Sequence, residues 1–147
     1  MTYKEKVEWL RQYRAAVSRE RLLEGELEML RSAAERVTAC LTGMPGAGPD
    51  PDRLPRAVER IEETQKKLEE QIEDCVECRF AVTHVIAGVK APDVQEVLRR
   101  RYILGQSYAD IADAMGVVLR RVYQIHRAGV LEMPLEELME KPQENAS

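Results

Sequence analysis

Between positions 23 and 41 the apolar residues recur in steps of four and three, at Leu23, Leu27, Leu30, Ala34, Val37 and Leu41. This is the spacing of a heptad seam, a narrow apolar stripe that one helix presents to another. Tyr3, Val7, Leu10 and Val17 continue the stripe toward the N-terminus less regularly, and charges of both signs fill the intervening positions, as on a solvated outer face. One long helix is predicted over 3–41. Thr42-Gly43-Met44-Pro45-Gly46-Ala47-Gly48-Pro49-Asp50-Pro51 then places three glycines and three prolines in ten residues, which no helix can continue through.

A second helical pattern begins at Leu54 or Pro55 and runs to about Ala87. Its apolar positions are Val58, Ile61, Leu68, Ile72, Cys75, Val82 and Ile86, with Gln65 and Arg79 interrupting the seam. Two long amphipathic helices joined by a short loop fold back as an antiparallel pair. Neither buries its stripe alone, so pairing within the chain or with a second copy is needed to cover it. The surplus apolar residues near Trp9 and Leu10 are the candidate contact for a homodimer.

Gly88 offers a helix stop through the left-handed conformation that glycine accepts. Pro92 and Asp93 suit the first turn of a new helix, and Val94, Val97, Leu98, Tyr102 and Ile103 form its apolar face up to Gly105. Ser107-Tyr108-Ala109-Asp110 has the form of a capping box. The helix after it places Ile111 and Met115 on one face, with Ala112 four residues before Gly116. A small residue at a steep helix crossing, followed by a glycine that tolerates positive φ, is what a helix-turn-helix requires. Val122 and Ile125 then fall where a second helix packs on the first, leaving Leu119, Arg120, Tyr123, Gln124 and Arg127 outward.

The expected fold is therefore all-α: a long antiparallel helical hairpin of coiled-coil type over 1–88, with its Gly/Pro-rich loop near 42–53, and a helix-turn-helix over 89–133. A tail over 134–147 is expected to be acidic and partly disordered, with one or two helical turns at 134–140. That tail either shields the basic segment or is simply a solvated terminus.

Composition narrows the chemistry. Charged residues are 33% and aromatics only 5% of 147 residues, which suits long solvated helices and leaves little material for a β-sandwich core. The net charge of −4 gives the whole chain no basic excess, yet 99–127 holds six Arg and two Asp. A nucleic-acid surface would have to be local to that segment. Arg and Gln are suited to bidentate contacts with guanine and adenine, so Arg120, Gln124 and Arg127, with Leu119 and Tyr123, are the candidate base contacts. Arg99, Arg100, Arg101 and Arg121 are the candidate phosphate contacts, which position a protein without reading sequence. The competing reading is a three-helix bundle whose arginines are merely solvated.

Other chemistries find no support. Cys75-Val76-Glu77-Cys78 is a single CxxC with His84 nearby, whereas a structural zinc site commonly takes two such pairs. Buried helical cysteines are the expected role, with no metal and no cofactor. His126 is expected at the edge of the packed face. Glycines 43, 46 and 48 alternate with prolines and lack the Lys-Ser/Thr of a P-loop. No Ser-His-Asp set can be assembled, so no enzymatic activity is expected. No run of about 18 apolar residues predicts a membrane span, and the N-terminal residues lack a signal-peptide core. Three cysteines without export signals fit the cytoplasm.

The stretch from Leu98-Arg99-Arg100-Arg101-Tyr102 through Gly105-Gln106-Ser107-Tyr108-Ala109-Asp110-Ile111-Ala112, continued by Val122-Tyr123-Gln124-Ile125-His126, resembles region 4 of bacterial sigma factors. With Leu41-Thr42-Gly43-Met44-Pro45-Gly46 and Ala57-Val58-Glu59-Arg60-Ile61, most of the chain resembles small phage and prophage proteins related to ArpU/RinA-type late transcription regulators. The resemblance implies a transcription regulator whose recognition helix reads promoter-like double-stranded DNA, with RNA polymerase as a further partner. In two places the chain departs from the family pattern. Val118 stands where the family has a Ser cap, a change that typically costs about 1 kcal/mol. Ala128-Gly129 replaces a larger residue and predicts an early helix end. The alternative is a helical assembly or DNA-packaging accessory protein with a structural or degenerate helix-turn-helix.

Overall fold

The computed structural model describes residues 1–43 and 51–140, and only the backbone of 40–43. The loop over 44–50, the side chain of Leu41 and the last seven residues of the acidic tail lie outside it. The fold is all-α. Among the described residues there are seven helices: α1 (Tyr3–Leu10), α2 (Gln12–Gly43), α3 (Arg53–Ala87), α4 (Pro92–Tyr102), α5 (Tyr108–Met115), α6 (Leu119–Glu132) and α7 (Leu135–Glu140). Helices α1 and α2 are nearly one. Hydrogen bonds from Arg11 N to Val7 O and from Ala15 N to Arg11 O, both 3.0 Å, carry the ladder across the step at Arg11. Thr2 starts α1 with a full capping box, exchanging bonds with Glu5.

The chain divides into two compact units. One joins Met1–Ala16 to Cys75–Ser147; the other is Val17–Asp74. The division thus falls inside the long helices rather than near residue 88, because the first turns of the hairpin and the end of α3 share a core with the C-terminal helices.

In the Val17–Asp74 unit, α2 and α3 pack as a long pair. Along α2 the least exposed side chains are Leu23, Leu27, Leu30, Ala34 and Val37, the stripe that the heptad spacing predicts. Along α3 the seam is displaced from expectation. Val58 and Ile72 are 45% and 41% exposed, and the inner positions are Ala57, Ile61, Thr64, Leu68 and Gln71. Ala57 and Thr64 thus occupy the inner face, and the bulkier Val58 and Ile72 turn outward. Arg19 and Asp74 form an exposed ion pair at 3.5 Å, a contact of small energetic value.

The other unit has two clusters. Leu10, Val82, Val85, Ile86, Leu98, Tyr102, Val130, Met133, Leu135 and Leu138 form the first; Val97, Ile111, Ala112, Val122 and Ile125 form the second. Leu10 is fully buried here, so it is not surplus surface available to a second copy. Helix α7 supplies the expected helical turns but departs from expectation in its burial. Leu135 and Leu138 are 1% and 5% exposed, so 134–140 is part of the core and not a solvated tail.

Three glycines show how the local geometry is set. Gly116 (φ +68°) ends α5 in the left-handed region, and a side chain there would meet open space. Its role is conformational. Gly88 is not left-handed. It matters because a Cβ at that position would strike the Leu138 side chain, while Gln95 Nε2 donates to the carbonyls of Ile86, Ala87 and Val89 at the end of α3. Gly129 does not end α6, which continues to Glu132. It is buried, and a Cβ there would collide with Val94 of α4.

Candidate nucleic-acid interface

The second cluster holds α4, α5 and α6 together and decides which residues of α6 face out. Ser107 Oγ accepts from Asp110 N at 3.1 Å and starts α5. This is the forward half of the predicted capping box; the reciprocal bond, from Ser107 N to the Asp110 carboxylate, is not formed. Ile111 and Ala112 are buried and Met115 half-buried. Val117 N donates to Ala112 O at 3.0 Å as the chain leaves the left-handed Gly116. Three residues, Gly116 to Val118, thus connect α5 to α6, whose Val122 and Ile125 close onto Val97 and Ile111. This is a helix-turn-helix in geometry.

With Val122, Ile125, His126, Gly129 and Val130 turned inward, the five predicted groove-facing residues all lie outside. Leu119, Arg120, Tyr123, Gln124 and Arg127 are exposed and span an arc of about 140° on the helical wheel. Arg121 is exposed as well. The helix N-terminus carries Val118 with no side-chain cap, and that side chain is 72% exposed.

The arginines of α4 divide. Arg99 is exposed. Arg100 pairs with Glu96 at 3.1 Å and reaches Gln106 Oε1. Arg101 donates to the Gln106 carbonyl at 3.1 Å and lies 4.3 Å above the Tyr108 ring. Arg100 and Arg101, assigned to phosphates from the sequence, thus also hold the α4–α5 turn together.

Behind this face stands an aromatic cluster that the spacing of residues did not reveal. Tyr108 packs on Tyr123 with ring centroids 4.8 Å apart, and the Arg127 guanidinium lies 5.0 Å from the Tyr3 ring. His126 is at its centre, 3% exposed, and not at the edge of the packed face. Its Nε2 is 2.6 Å from the Tyr102 hydroxyl and its Nδ1 3.3 Å from the Tyr3 hydroxyl. One ring nitrogen donates and the other accepts, which holds the imidazole neutral. Burial, with Arg101 and Arg11 nearby, pushes its pKa down to about 4. Burial also raises that of the Tyr102 hydroxyl. The sequence signal was present as five aromatic or imidazole side chains, Tyr3, Tyr102, Tyr108, Tyr123 and His126, but nothing local brings Tyr3 to His126.

The end of α6 is held from α1. Lys6 Nζ donates to the carbonyls of Leu131 and Met133 at 3.0 and 2.8 Å, placing a cation on the negative end of the helix.

The CxxC residues are separate from this face. Cys75 is buried and Cys78 half-buried on α3. Among the described residues no group of three or more His, Cys, Asp or Glu gathers as a metal site. An open groove of about 420 Å³ is lined by Trp9, Val76, Phe80, His84, Val85 and Met139, among others; it is mainly apolar. No described helix is long and apolar enough to cross a membrane. Comparison with protein-family models, curated proteins and solved structures finds no match to this chain.

Proposed function

We propose that the chain is a DNA-binding transcription regulator of the phage or prophage type, with α6 as the helix that enters the major groove. The observation that carries this reading is a tight helix-turn-helix whose second helix turns Arg120, Gln124 and Arg127 outward together. No acidic residue occurs between Asp113 and Glu132, so the outward face meets phosphate without repulsion. Arg and Gln supply the paired donors and acceptors that distinguish guanine and adenine. Arg99 and Arg121, both exposed, are the proposed phosphate contacts, and RNA polymerase is the further partner that the family resemblance implies.

The direct test is a binding series on a preferred duplex and on random DNA. Arg120→Ala or Gln124→Ala should lose about 1–3 kcal/mol on the preferred site and little on random sequence. Arg99→Ala should weaken both alike and reduce the salt slope by about one unit. A wild-type protein that binds no DNA at low salt, with or without RNA polymerase, would remove this reading in favour of an assembly or packaging role.

A homodimer through the hairpin belongs to the same proposal. In the Val17–Asp74 unit, Leu22 and Met29 are 74% and 73% exposed and lie one heptad apart. Val58 and Ile72, also outward, lie two heptads apart. Each helix thus carries two exposed apolar side chains at heptad-related positions, which a second copy would cover.

A further inference from the structure

The outward face of α6 carries two kinds of chemistry side by side. Arg120, Gln124 and Arg127 form a polar stripe at steps of four and three. Beside it, Leu119 and Tyr123 lie four residues apart, and Val118 precedes them at the helix N-cap. These apolar groups are 41%, 49% and 72% exposed. Two features make them unfavourable within the chain itself. A valine at the cap satisfies none of the free backbone N–H groups of the first turn, where a polar residue would. The leucine beside it leaves much of its surface in water. Tyr123, by contrast, is held by Tyr108 at 4.8 Å, so the face is ordered and not a loose patch.

We propose that Val118 and Leu119 read thymine, by seating their methyl groups against thymine C5-methyls in the major groove, while the adjacent polar stripe reads purines. This inference rests on the DNA-binding reading above. The thymine methyl is the one apolar feature that base pairs display in that groove. The basic flanks argue for DNA as the occupant: Arg120 and Arg121 border the apolar turn and are exposed, Arg127 lies two turns further along the same helix, and no carboxylate lies on α6 before Glu132. A protein partner for the same turn would need an acidic rim around an apolar pocket.

Uracil provides the test, because it retains every hydrogen-bonding group of thymine and lacks only the methyl. A duplex is first selected by the wild-type protein from a random pool, and each thymine is then replaced singly by deoxyuridine. At one or two positions the replacement should weaken wild-type binding about fourfold, the value of one buried methyl. Leu119→Ala, a change at an exposed site, should bind the thymine and uracil forms of one such position equally. Val118→Ala should do so at the other, or at the same position if the two share it. If specific binding persists and no uracil replacement matters, or if both variants keep the wild-type thymine preference, the methyl-reading proposal fails while the regulator reading stands. If the wild type binds no DNA, both fail.

Discussion

His126 shows how much one side chain can couple. It sits between Tyr102 and Tyr3, on helices α4 and α1, with Tyr108 edge-on to its ring. A neutral imidazole satisfies both hydroxyls, and a protonated one would place a third positive charge beside Arg101 and Arg11. The folded pKa of about 4 lies below the ordinary value of 6.5, so the unfolded chain takes up the proton first as pH falls. The stabilisation from the neutral ring is fully present above pH 6.5, declines below it, and is exhausted near pH 4. The loss amounts to about 3 kcal/mol. Urea unfolding at pH 7, 5.5 and 4 should show this as an extra decline in the wild type relative to His126→Gln. Equal slopes in the two proteins would contradict it.

Among the elements, α6 depends most on its neighbours. Gly129 lies in its interior, where glycine ordinarily costs close to 1 kcal/mol relative to alanine. Helix propensity therefore predicts that Gly129→Ala stabilises. The structure predicts the opposite, because the added Cβ would meet the Val94 side chain on α4. Overpacking of this kind costs about 1–3 kcal/mol. Denaturant unfolding of Gly129→Ala, Val94→Ala and the double variant should show destabilisation by the first and its partial reversal in the pair. A stabilised single variant would mean that α4 moves aside without penalty. Helix α7 shows the same dependence on packing. Its acidic residues Glu136, Glu137 and Glu140 are all that composition suggests, yet Leu135 and Leu138 enter the core beside Gly88 and Leu10.

For the whole molecule, the open question is what covers the hairpin. Among the described residues 17–74, only Leu27 and Thr64 are buried outright, and the rest of the seam is half-exposed. A helix pair of about 40 Å, laid against its own copy, would bury an area on the order of 1,600 Å², the size of a specific interface. Light scattering at tens of micromolar should therefore report a dimer, and Leu22→Glu with Met29→Glu should convert it to monomer without loss of helicity. Residues 17–74 carry nine basic and fourteen acidic side chains, so added salt should tighten the dimer by screening their repulsion. A strict monomer in the wild type would remove the dimer and leave the hairpin intact.

The sequence by itself determined what is local and periodic. The seam from Leu23 to Val37, the starts of α4 at Pro92 and α5 at Ser107, and the left-handed Gly116 all follow from residues within a few turns of one another. So does the outward set from Leu119 to Arg127, because a 3.6-residue period assigns both faces once the inward one is known. Tertiary structure decided what depends on distant partners. The seam of α3 runs through Ala57 and Thr64 and leaves Val58 and Ile72 outward, a choice of face that the apolar period alone did not make. Gly129 marks a contact with Val94 rather than a helix end, and Gly88 ends α3 as expected but without the left-handed conformation, its Cα packed against Leu138. His126 became a buried centre because Tyr3, more than 120 positions earlier in the chain, returns to it. A hydrophobic period gives the direction in which a residue points, but the neighbour it meets there, and the room it has, are set only when the helices have packed.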